Sequence, residues 1–191
     1  MSETPRTRRS DTERTVRTIL AAAERVLSRN PTASMEQIAE AAGVARTTVH
    51  RRFSSRDALV AALAAWATQR FAEAVKAANP ESAPPLVALY QVTANVLRVK
   101  LDWSFAMSLA LTTDPEAAKV HAEIEEGCDR LFARARDAGV IRADVDLHWA
   151  RRVYYALIHE AARDRDADAD ALAVRLVDTL LRGVGTGQTL T

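Results

Sequence analysis

Apolar residues recur three and four apart in one segment of this chain after another, and nowhere in strict alternation, so they can be buried together only on helices. Each segment is also punctuated. Ser10-Asp11-Thr12-Glu13 reads as a capping box ahead of the stripe Val16, Ile19, Leu20, Ala23, Val26 and Leu27, and Asn30-Pro31 breaks that helix. Ser34-Met35-Glu36-Gln37 opens a short helix that Gly43 stops, and another short helix runs through Arg46–Arg52 to an apolar anchor, Phe53. Ser54-Ser55-Arg56-Asp57 opens a long helix to Ala78, closed by Asn79-Pro80. Further helices are predicted from Pro84-Pro85 to about Lys100, Asp102 to about Thr112, Asp114-Pro115 to Ala138, Asp146 to Arg163 and about Asp168 to Arg182. Six glycines and six prolines in 191 residues are too few for the turns of an all-β fold, so the expected class is all-α.

Charge divides the chain. Residues 1–56 carry 11 arginines against 6 acids, a net +5, while residues 57–191 carry 15 cations against 19 acids, a net −4. A basic head on an acidic body suits a polyanionic partner, and arginine is the cation best shaped for phosphates and base edges. Residues 1–9, with Arg6, Arg8 and Arg9, read as a disordered basic arm that either meets the polyanion or is only a solvated tail. No stretch nears the roughly 20 apolar residues of a membrane span, and MSETPRTRRSDTERT has no apolar run of a secretory signal, so a cytoplasmic location is expected.

Catalytic and metal chemistry find little support. The single cysteine, Cys128, excludes a disulfide framework and a thiolate-rich zinc site. His121 and Cys128 lie on one helix face but lack a third ligand. No nucleophile elbow, phosphate-cradling glycine loop or His-Glu-x-x-His occurs, so no catalytic residue, cofactor or metal is expected.

The informative stretch is residues 34–53, SMEQIAEAAGVARTTVHRRF. Two short helices joined by a tight turn form a helix-turn-helix. Ala39 is small enough for a close crossing, Gly43 suits a positive φ in the turn, and Val49 packs the second helix back on the first. Arg46, Thr47, His50 and Arg51 are left facing outward on a rod that fits a major groove. Glu36 lies nearby, either accepting from a cytosine amine or serving only as a helix N-terminal charge.

These features resemble the tetracycline-repressor (TetR) family of transcriptional regulators over residues 10–63, through Ile38-Ala39-x-x-Ala42-Gly43-Val44, Thr48-Val49-His50-Arg51-Arg52-Phe53 and Ser55-Arg56-Asp57-Ala58-Leu59. The resemblance implies a DNA-binding head over residues 10–56, continued by a long fourth helix into a ligand-binding and dimerisation body over 57–191. It implies a homodimer on a double-stranded, near-palindromic operator, released by a small-molecule effector. Carried over by position, Arg46, Thr47 and His50 approach bases, while Ser34, Thr48, Arg51, Arg52 and Arg56 contact phosphates. Two positions depart from the family pattern: His50 stands where tyrosine is usual, and Ala45 where serine or threonine caps the helix. A module of the same fold that binds small molecules without reading DNA is the alternative.

In the body, Trp103, Phe105 and Met107 are candidates for a ligand-pocket wall, since aromatic residues at helical spacing serve either core or pocket. Tyr155 and His159 are four apart and share a helix face, turned to a ligand, a partner subunit or solvent. The resemblance places the dimer contact on the last two helices, with Leu176 and Leu180 as candidates.

Overall fold

The computed structural model describes residues 5–110 and 115–182, and every regular element among them is an α-helix. In chain order these are α1 (Pro5–Leu27), α2 (Met35–Ala41), α3 (Arg46–Arg52), α4 (Arg56–Ala77), α5 (Pro85–Asp102), α6 (Ser104–Ala110), α7 (Pro115–Asp137), α8 (Leu147–Ala161) and α9 (Ala169–Arg182). Several helices begin where a polar cap satisfies the free amides of the first turn. Asp146 accepts from His148 N–H at 2.9 Å, Asp168 from Ala171 N–H at 2.8 Å, and Ser55 from Ala58 N–H at 3.1 Å. Gly139, at φ +72°, closes α7.

The start of α1 corrects the sequence expectation. The helix begins at Pro5, so residues 5–9 are helical and Ser10 lies inside the helix instead of capping it. Proline is favourable at a first helical position and arginine is a good helix former, so nothing between Pro5 and Ser10 stops the helix. Residues 1–4 of the expected arm and the glycines at 183, 185 and 187 lie outside the described residues, as does the expected end of α6 at Thr112.

The described residues form two compact units, residues 5–68 with 103–110 and residues 69–102 with 115–182. In the first, α1 packs on α2, α2 on α3, and α6 on α1. Ile19, Leu20, Ala23 and Leu27 of α1, Ile38 of α2, Val49 of α3 and Leu59 and Leu63 of α4 are each buried in this unit. In the second, α5 is the central rod, packed on α7, α8 and α9. Its Leu89, Val96 and Leu97 are buried with Phe132, Tyr154, Leu172 and Val177. Thr93 is held there with its hydroxyl on the Leu89 carbonyl at 2.6 Å and the Tyr154 hydroxyl 2.9 Å away.

Leu176 belongs to that core: it is 4% exposed, so it is no dimer candidate. The large apolar side chains exposed on α8 and α9 are Trp149 and Val174, 59% and 57% exposed. No helix among the described residues is long and apolar enough to cross a membrane.

Candidate nucleic-acid interface

The recognition geometry is built by two termini of α2. At its start, Ser34 Oγ accepts from Gln37 N–H at 3.3 Å while Gln37 Oε1 accepts from Ser34 N–H at 2.9 Å, a complete capping box. At its end, Gly43 N–H donates to the Glu40 carbonyl at 3.0 Å and Val44 N–H to the Ala39 carbonyl at 3.1 Å. That paired closure turns on a left-handed residue, and Gly43 supplies it at φ +65°. A Cβ there would meet nothing within 4 Å, so backbone conformation and not space requires the glycine. Val49, fully buried, then fixes how α3 is rotated on α2.

With Val49 turned in, Arg46, Thr47, His50 and Arg51 are exposed and Thr48 is half-buried on the flank. Arg46 Nη2 lies 2.7 Å from Glu36 Oε1. The Glu36 carboxyl is held below the usual carboxylate range by its own backbone N–H, then by Ser34, with the Arg46 and His50 charges adding to the effect. It is therefore an anion at neutral pH that pairs with Arg46 at the first residue of α3.

Two of the expected phosphate contacts are turned toward the protein. Arg52 donates through Nη2 to Thr12 Oγ1 at 3.1 Å, while its Nε is buried without a partner. Arg56 donates through Nε to the Ala33 carbonyl at 3.2 Å and through Nη2 to the Pro31 carbonyl. It thus ties the α1–α2 loop to the first turn of α4. Arg25 does similar work, reaching the Ala41 carbonyl at 3.4 Å, and nothing in its sequence position signalled this.

Ala45 is the N-cap of α3 and makes no side-chain cap bond. Ala45→Ser restores one, and is expected to raise unfolding stability by about 1 kcal/mol. Chemical denaturation checks it, with an unchanged midpoint as the contrary result.

The five ligand candidates divide between the two units. Trp103 lies against Trp66 with ring centroids 4.0 Å apart, Phe105 is half-buried and Met107 is buried, all within the unit that holds α3. Tyr155 and His159 belong to the other unit and do not act together: Tyr155 turns inward beside Cys128 and Arg151, whereas His159 is exposed. Burial, with the neighbouring Cys128 adding to it, raises the Tyr155 pKa. The Cys128 thiol is pushed up to about 11, again chiefly by burial. No group of three potential metal ligands occurs among the described residues.

His121 lies 5.9 Å from the Phe71 ring with its Nε2 buried and unpartnered. Burial lowers its pKa from 6.5, outweighing the pull of Glu125. The unfolded chain therefore binds this proton more tightly than the folded one. The resulting stability is full above 6.5 and is lost as pH falls through the lowered folded value. Thermal melts on acidification should fall more for wild type than for His121→Gln, and parallel falls would contradict the assignment.

The family "Bacterial regulatory proteins, tetR family" matches residues 19–63. The HTH-type transcriptional repressor LfrR of Mycolicibacterium smegmatis is 35% identical over 176 residues, spanning 88% of this chain and 92% of LfrR. The crystal structure of LfrR from Mycobacterium smegmatis in complex with proflavine is similar at TM-score 0.70 and 32% identity, covering 91% of this chain and 98% of that one. PfmR from Thermus thermophilus shares the fold at TM-score 0.73 and 22% identity, over 87% of this chain and 98% of its own.

Proposed function

The chain belongs to the tetR family of bacterial regulatory proteins, and from that premise we propose that it is a repressor binding a near-palindromic operator as a homodimer and leaving it when a small molecule binds. The observation that carries this reading is the exposed face of α3, with Arg46, Thr47, His50 and Arg51 outward and Val49 buried behind them. Arg46, Thr47 and His50 are assigned to base edges; Ser34, Thr48 and Arg51 are assigned to phosphates. Arg52 and Arg56 are assigned chiefly to shaping the head, because their guanidinium groups are engaged at Thr12, Pro31 and Ala33.

LfrR is named a repressor and has been crystallised with proflavine, which supports a repressing role and an organic effector here. Release then follows from linkage: an effector that favours a state poor at binding DNA weakens the operator by the factor that the operator weakens the effector. The Cys128, Arg151 and Tyr155 neighbourhood is the body's polar interior, and Trp103, Phe105 and Met107 remain candidates for the effector's apolar wall.

Selection from a random duplex library tests the reading. Enrichment of a two-fold symmetric site, with proflavine lowering its occupancy, supports it. A library that stays random would show that the head reads no sequence and would favour the small-molecule module.

A further inference from the structure

Glu24 interrupts the apolar stripe of α1, yet it is only 4% exposed. Its carboxylate accepts from successive amides of another helix, Oε1 from Phe105 N–H at 2.8 Å and Oε2 from Ala106 N–H at 2.9 Å. Those are the second and third residues of α6, whose opening amides have no acceptor within the helix. An acid on α1 thus caps α6, and the positive end of α6 balances a charge that would be costly to bury alone. Just ahead of α6, Trp103 is laid on Trp66 of α4. On its other side α1 supports α2, which in turn carries α3. One buried carboxylate therefore joins α6 to the scaffold of the recognition helix.

We propose that Glu24 is a positioning residue for the DNA response, locking the start of α6 to α1 so that the placement of α6 and the operator-competent shape of the head are one equilibrium. The inference rests on the operator-binding reading above. Whatever shifts the start of α6 must draw Glu24 along or break its two bonds to the Phe105 and Ala106 amides, and either course disturbs the helix on which α2 and α3 are built.

Amide hydrogen exchange of the full chain, with and without a duplex selected by the wild-type protein, tests this. Reciprocity requires the duplex to slow exchange at Phe105 and Ala106 in wild type, although neither residue is assigned to DNA. Glu24→Gln keeps the shape but presents an N–H to one of the two amides. It should speed exchange there by about 10- to 100-fold in the free protein, the range for losing a hydrogen bond to a charged group. It should also weaken the selected duplex by about tenfold or more and abolish the duplex-induced protection, while the amides of α2 and α3 stay protected. Glu24→Asp, which keeps the charge but retracts it by one methylene, serves if the glutamine variant does not fold, and the wild-type comparison needs neither. Equal exchange at Phe105 and Ala106 with and without bound duplex would overturn the proposal, as would a variant that binds the duplex with wild-type affinity. A wild-type protein that selects no duplex would instead overturn the operator reading.

Discussion

Arg46→Ala and His50→Ala should leave the protein able to hold DNA but much less able to choose among sequences. Both side chains are exposed on α3, whose rotation is fixed by buried Val49, so each can reach into a groove without repacking the head. Arg46 is also oriented beforehand, at 2.7 Å from Glu36, which limits the freedom it loses on meeting a base. A good base contact is worth about 1–3 kcal/mol of discrimination, so each substitution should cut the preference for the selected duplex over a scrambled one by about 5- to 100-fold. Arg51→Ala should behave differently, weakening both duplexes alike and reducing the slope of log affinity against log salt by about one. Fluorescence anisotropy across a salt series separates the outcomes. Equal losses on both duplexes from Arg46→Ala and His50→Ala would remove these residues from base readout.

Trp149→Glu combined with Val174→Glu is expected to convert the proposed homodimer to monomers and to cost affinity for the proposed operator by about 100-fold or more, since two heads on one molecule would bind the second half-site at high effective concentration. Both side chains are more than half exposed on α8 and α9, so a charge there can remain hydrated in the monomer. Leu176→Glu would be a poor substitute. That residue is 4% exposed, and a carboxylate in its place would be buried unpaired and would unfold the bundle. Light scattering on the double variant measures the outcome directly, and an unchanged mass would place the dimer contact on another surface.

The difference between Leu176 and Val174 shows where sequence reading stops. Spacing on α9 reveals apolar residues all along the helix, but only the position of α5 decides which of them are core. Elements punctuated by local chemistry were legible, because a cap bonds within three or four residues of itself: Ser34 with Gln37, Asp146 with His148, Gly43 at its positive φ. The outward face of α3 was legible for the same reason, since a seven-residue helix with one buried valine has only one way to turn. Long side chains with distant partners were not. Arg56 looked like a phosphate ligand at a helix start, but its acceptors are carbonyls more than twenty positions earlier. Glu24 carries no local signal of its role, because its partners lie some eighty residues on.

The central claim, that the exposed face of α3 enters a major groove, is tested most directly by cleaving DNA from that face. A cutting reagent tethered at Thr47→Cys would act selectively, since Thr47 is exposed while the half-buried Cys128 thiol, with its pKa raised to about 11, stays protonated and unreactive at neutral pH. On the selected duplex, two cleavage clusters should appear, related by the site's dyad and centred about one helical turn apart or a multiple of it. Bound duplex cut nowhere, or cut evenly along its length, would contradict the account.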